Sequence, residues 1–187
     1  NAVSELSNLV IEDNVGTEMG GGVYIASNSD VVLTDLVVRN NDALQGGGVH
    51  LAADAKRLEI SGGTIHDNSA QETGGGIYAS SSLSIASSWI SDNTAVGSGG
   101  GLYATLVSPQ VDECSFWGNS AENGGGIALE STTTSSFFAN RIKASEFWLN
   151  NATMHGGALW LNGAGEQFLK EDLLVLNVAG SDGGGVW

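Results

Sequence analysis

The chain has 187 residues, 41% of them hydrophobic, enough for one continuous core, and no linker divides it. Only 6 Lys and Arg stand against 21 Asp and Glu, a formal net charge of −15, so the clustered cations that nucleic acid or an anionic membrane requires are missing. The one cysteine, Cys114, excludes an internal disulfide framework and a cysteine-built metal site.

Taken in order, the sequence is seven copies of one phrase. Each has an apolar residue, a second five positions on, Asn three later, a polar stretch, and a glycine cluster closed by another apolar residue. The first copy holds Leu6, Ile11, Asn14 and Gly20-Gly21-Gly22-Val23, and the second Val32, Val37, Asn40 and Gly46-Gly47-Gly48-Val49. The third holds Ile60, Ile65, Asn68 and Gly74-Gly75-Gly76-Ile77, and the fourth Ile85, Ile90, Asn93 and Gly99-Gly100-Gly101-Leu102. The fifth holds Val111, Phe116, Asn119 and Gly124-Gly125-Gly126-Ile127. Ile142, Phe147, Asn150 and Gly156-Gly157-Ala158-Leu159 make the sixth, and Leu169, Leu174, Asn177 and Gly183-Gly184-Gly185-Val186 the seventh.

Successive asparagines stand 26, 28, 25, 26, 31 and 27 positions apart, a period that signals a solenoid. After each glycine cluster the pattern alternates with period two, as in Val23-Tyr24-Ile25, and no window carries a helical rhythm. The spacing predicts an all-β chain: a right-handed parallel β-helix of about seven coils of roughly 27 residues, with about three short strands per coil, and roughly 34 Å long at ~4.8 Å per coil. Asn14, Asn40, Asn68, Asn93, Asn119, Asn150 and Asn177 would then stack as an amide ladder, and the glycines would allow tight, left-handed corners. Ala70, Ala95, Ala121, Ala152 and Ala179, two residues past the asparagines, mark a place that suits a small side chain. These repeated residues are scaffold.

Two half-motifs carry a resemblance. Phe116-Trp117-Gly118-Asn119 and Phe147-Trp148-Leu149-Asn150 are similar to the Phe-x-x-Asn repeats of the chlamydial polymorphic outer membrane proteins. Gly156-Gly157-Ala158-Leu159 is similar to their Gly-Gly-Ala-(Ile/Leu/Val) repeats, and the other copies look like relaxed versions. The resemblance covers nearly the whole chain. It implies a β-helix that is secreted or displayed at a cell surface, often as the passenger of an autotransporter, with an adhesive role.

Directly after the closing apolar residue of each copy stand Tyr24, His50, Tyr78, Tyr103, Ala128, Trp160 and Trp187. Alternation puts this column outside, where rings at coil spacing could bind a sugar face or a partner protein, or simply stack on one another. Trp117 and Trp148, in adjacent coils, form a second candidate pair. One step before the asparagines, Asp13, Arg39, Asp67 and Asp92 form a charged column. Asp67 and Asp92 stacked ~5 Å apart could bind a cation or serve polysaccharide hydrolysis, while a solvated column with Arg39 bridging acids is the plainer expectation. His50, His66 and His155 lack metal-ligand spacing, and neither nucleophile-elbow, zinc nor phosphate-cradle motifs occur. Cys114 follows a column of small or polar residues (Gly63, Ser88, Ser145) and reads as a packed, inert thiol. Asn151-Ala152-Thr153 is a formal glycosylation sequon.

Extra residues near 130–140, including Phe137 and Phe138, interrupt the period as an insertion loop. Residues 1–187 are expected to be one segment of a longer solenoid, because neither end carries a recognisable cap. The expectation for function is an extracellular or cell-surface structural or adhesive segment without catalysis, cofactor or metal, and without membrane insertion. Its expected partners are a host-cell receptor, a glycan, sister subunits or flanking coils. The alternative is a polysaccharide lyase or hydrolase built on the same fold. A flat ice- or mineral-binding array is disfavoured because Thr132, Thr133 and Thr134 are consecutive instead of spaced by coils.

Overall fold

The computed structural model describes residues 3–105, 109–131, 140–163 and 167–187. Within them every regular element is a short β-strand, and each strand pairs in parallel with its equivalent one coil away. Ile60, Ile85, Val111, Ile142 and Leu169 are successive register partners, as are Ile65, Ile90, Phe116, Phe147 and Leu174. Two of the sheets have seven strands and two have six, so six turns separate the first rung from the seventh.

The coil has four sides where the spacing suggested about three. One sheet carries the first apolar column, with strands such as Leu83–Ala86 and Gln110–Asp112, and a second carries the Ile90 and Phe116 column, with Trp89–Ser91 and Ser115–Trp117. A third, short-stranded sheet follows the asparagines (Ser69–Thr73, Thr94–Ala95, Ser120–Asn123), and a fourth follows the glycines (Ile77–Ala79, Leu102–Thr105). The third sheet escapes a hydrophobic pattern because its inward residue is alanine: Ala43, Ala70, Ala95, Ala121 and Ala152 are all buried.

Alternation sends every second residue inward, as in Arg57–Ser61, where Leu58 and Ile60 are buried and their neighbours are not. The stacked apolar columns of the first, second and fourth sheets make one core, within which the Phe116 and Phe147 rings lie 5.0 Å apart and 7° from parallel, and Ala70, Ala95 and Ala121 pack as a separate small cluster. Burying side chains of this size contributes roughly 1.5–3 kcal/mol each. Leu6, Ile11, Val23 and Leu174, on the outer rungs, are only partly buried against that core.

The second rung is one residue out of the expected register. Leu33 and Val38, not Val32 and Val37, fill the interior columns, at 2% and 1% exposure, opposite Leu6 and Ile11. The ladder residue of that rung is therefore Asn41, not Asn40. Adjacent valines and tandem asparagines made both frames available, and burial of a continuous column decides between them. Asn40 instead takes the left-handed corner conformation (φ 54°) one step earlier, aligned with Asp13, Asp67 and Asp92.

The ladder is continuous. Asn14, Asn41, Asn68, Asn93, Asn119 and Asn150 each donate from Nδ2 to Oδ1 of the next, at 2.9–3.0 Å, ending on Asn177. Each Oδ1 also accepts the preceding asparagine's backbone N–H, and Asn68, Asn93, Asn119 and Asn150 are at most 1% exposed. A buried amide that bonds on both sides escapes the desolvation cost it would otherwise carry.

At the glycine corner the three positions differ. Gly99 has φ 71°, which the first glycine needs for its turn. Gly100 is needed for approach, since a Cβ there would lie 2.5 Å from the carbonyl oxygens of both Gly125 and Ser120. Of the insertion expected near 130–140, Glu130 and Ser131 continue the strand Ile127–Ser131 and Asn140 opens the strand Asn140–Lys143, while residues 132–139, with Phe137 and Phe138, lie outside the described residues.

Candidate functional site

Two outer faces carry aromatic side chains. On the fourth sheet, Tyr24, His50, Tyr78, Tyr103, Ala128 and Trp160 are register partners, with Trp187 continuing the column. Rings one coil apart lie face to face. The centroid separations are 5.3 Å for Tyr24 and His50, 4.6 Å for His50 and Tyr78, and 5.4 Å for Tyr78 and Tyr103, with the planes within 27° of parallel. Ala128 interrupts the stack, and Trp160 and Trp187 resume it at 5.9 Å, with His155 against Trp187 at 5.1 Å.

This geometry consumes the ring faces. His50 is 3% exposed and Tyr103 8%, so what the middle of the strip offers outward is ring edges; the open rings are those at its ends, Tyr24 at 49% and Trp187 at 45%. The Tyr103 hydroxyl donates to the Glu130 carboxylate, and burial and that carboxylate both push the phenol above its ordinary range. Burial raises Tyr78 as well. His50, desolvated between two tyrosines, is held down to about 4, and its Nδ1 has no hydrogen-bond partner among the described residues, as is also true of His155 Nδ1 and Trp160 Nε1. A neutral imidazole in a ring stack serves packing better than ligand recognition.

The second sheet does the opposite. Strands Trp89–Ser91, Ser115–Trp117 and Glu146–Trp148 are neighbours, and their outward residues form a cleft of about 280 Å³ lined by Trp89, Ser115, Trp117, Glu146, Trp148 and Leu149. Trp117 and Trp148 are register partners, which the sequence brought together. The structure adds Trp89, whose ring meets Trp117 at 5.8 Å and 63°, an edge-to-face corner instead of a stack. Trp148 Nε1 donates to Glu146 Oε2 at 3.2 Å, which orients one indole and fixes a carboxylate at the cleft. Trp89 is 42% exposed and Trp117 44%, so here apolar surface faces solvent.

Trp89 falls outside the repeated motif because it precedes its apolar anchor, Ile90, while Trp117 and Trp148 follow theirs. Laying the sequence on its period would have placed Trp89 beside Ser115, diagonal to Trp117. Leu149 adds to the same wall. It occupies the left-handed corner (φ 56°) that Asp13, Asn40, Asp67, Asp92 and Gly118 fill in earlier rungs, and Leu176 repeats the exchange one rung on. A left-handed leucine costs about 1–2 kcal/mol, which a plain corner would avoid with Asp, Asn or Gly. Leu149 is nonetheless 47% exposed.

The charged column of the sequence resolves differently. Asp13, Asp67 and Asp92 are exposed corner residues, with Asn40 in the place given to Arg39. Because of the one-residue shift, Arg39 pairs with Glu12, at 2.7 Å from Nε and 2.5 Å from Nη2, and not with the aspartates. Asp67 Oδ2 accepts from His66 Nδ1 at 2.7 Å. Among the described residues no three His, Cys, Asp or Glu converge as a metal site would. Cys114 is 2% exposed, its thiol donates to the Asp112 carbonyl at 3.2 Å, and burial pushes it up to about 11.

The family model described as the right-handed β-helix region matches residues 2–142, which is 141 of the 187 residues. No curated protein and no solved structure matches the chain. With parallel one-coil pairing on four sides, a stacked apolar core and that match, the chain belongs to the right-handed β-helix family.

Proposed function

We propose that this β-helix is an extracellular or cell-surface adhesive segment that binds through its second sheet and catalyses no reaction. The observation that carries the proposal is the tryptophan cleft. Three indoles from three successive coils hold apolar surface open to solvent on a scaffold that has every opportunity to place polar residues there. Rigid aromatic anchors on a rigid sheet lose little entropy on binding. The similarity of Phe116-Trp117-Gly118-Asn119 and Phe147-Trp148-Leu149-Asn150 to the repeats of chlamydial polymorphic outer membrane proteins supports a surface location, and each motif contributes a cleft tryptophan, Trp117 and Trp148. The partner is a component of a host-cell surface.

The family also accommodates polysaccharide lyases and hydrolases, so the test has two arms. Labelled protein is incubated with cultured cells, and the Trp117→Ala/Trp148→Ala variant is expected to lower the retained amount about tenfold, the loss of roughly 1.4 kcal/mol. Polysaccharides incubated with the wild type are expected to release no oligosaccharide. Release that disappears on changing Asp67 and Asp92 to Asn would replace adhesion by catalysis.

A further inference from the structure

The cleft's chemistry favours one class of ligand. Its walls are Trp89, Trp117, Trp148 and Leu149, and its polar side chains besides the indole N–H groups are Ser115 and Glu146. No cation is among these six residues, and the chain carries −15 overall. The Trp89 and Trp117 rings meet at 63°, so two π faces converge on one corner, with a carboxylate that Trp148 Nε1 holds at 3.2 Å. A saccharide needs several hydrogen-bonding partners around its hydroxyls, which this lining does not supply. An organic cation needs π faces, a desolvating wall and a counter-charge.

We propose that the cleft is an aromatic cage for a quaternary ammonium group of the choline type. The trimethylammonium head sits against the faces of Trp89 and Trp117, with Trp148 and Leu149 excluding water and Glu146 as its counter-ion. The negative field of the chain raises the local concentration of such cations and repels an anionic sugar acid. The inference rests on the cleft being a binding site, and it names the ligand class of that site.

Choline chloride is titrated into the intact chain with indole fluorescence and calorimetry as readouts. The neutral tert-butyl analogue (dimethylbutanol) and a neutral disaccharide serve as comparisons. Choline is expected to saturate one site and to bind about tenfold more tightly than the analogue of the same shape. Glu146→Gln should lose most of that preference with an unchanged melting temperature, and Trp117→Ala should abolish saturation. Equal binding of choline and dimethylbutanol, binding of the disaccharide in place of choline, or no saturation by choline would each overturn the cage. Absent choline binding alongside adhesion that still needs Trp117 and Trp148 overturns the ligand class alone. Choline binding with cleft-independent adhesion overturns the adhesive function alone.

Discussion

Asn93 donates from both its side-chain Nδ2, at 3.0 Å, and its backbone N–H, at 3.1 Å, to the single Oδ1 of Asn119. Its Nδ2 also reaches back to the Ile65 carbonyl at 2.9 Å, so one amide ties three rungs together. Replacing Asn93 by Ala leaves the Asn68 backbone N–H without its acceptor inside the core and the Asn68 amide with only the Val38 and His66 carbonyls. The expected cost is about 2–4 kcal/mol, read as a fall in melting temperature of roughly 5–15 °C for a chain of this size. Asn40→Ala, at an exposed corner outside the ladder, should cost much less. The pair of melting curves separates the two asparagines directly.

Much of this arrangement was legible in the sequence, because a period forces equivalent residues into columns. The solenoid, its interior columns and most of the ladder follow from Ile60, Ile85 and Val111 or from Asn68, Asn93 and Asn119 alone. Rung two failed where the sequence offers Val37-Val38 and Asn40-Asn41, two frames that differ by one residue and that only burial distinguishes. Choosing Asn41 makes the first two spacings 27 and 27 instead of 26 and 28, a signal that was present. The third sheet was illegible for another reason. Its inward residues are alanines, which carry little hydrophobic pattern. The alignment of the aromatic column was legible from the spacing, but the ring stacking that buries His50 and Tyr103 is a side-chain property that spacing does not give.

Corner glycines should not be interchangeable. Gly100→Ala would place a methyl 2.5 Å from two carbonyl oxygens of the next rung, whereas at Gly185 the nearest atom is Leu174 Cδ2 at 3.6 Å. Gly100→Ala is therefore expected to destabilise by several kcal/mol, on the order of an overpacked core site or more, and Gly185→Ala by little. Urea unfolding midpoints of the two variants check this ordering.

The His50 stack predicts an acid-sensitive contribution. Its pKa in the fold is about 4, below the ordinary 6.5, so between those values the unfolded chain binds the extra proton. Stability is thus fully present above pH 6.5 and is lost as pH falls towards 4, by roughly 3 kcal/mol at ~1.4 kcal/mol per pH unit. Protonation of exposed carboxylates relieves repulsion over part of the same range, so the comparison is with His50→Phe, which keeps a ring in the stack and removes the titration. The wild type should lose more melting temperature than the variant between pH 7 and pH 4.5, and equal losses would remove His50 as the cause.

Cys114 should be inert in the native protein. With the thiol 2% exposed and raised to about 11 by burial, the reactive thiolate is scarce at neutral pH. A disulfide reagent at pH 8 is expected to modify less than one tenth of the chains in an hour, and all of them within minutes in concentrated urea. Fast native labelling would mean that the second sheet opens locally.

The central claim, that the second sheet binds while the fourth sheet stabilises, is tested most directly by saturation isotherms on intact cells. Wild type is compared with Trp117→Ala/Trp148→Ala and with Tyr78→Ala, each below its melting temperature. The cleft variant is expected to lose about tenfold in affinity at an unchanged melting temperature. Tyr78→Ala, which breaks the stack at its 4.6 Å contact with His50, should melt several degrees lower and bind as the wild type does. Full affinity in the cleft variant, or loss of affinity in Tyr78→Ala alone, would contradict this assignment of the two faces.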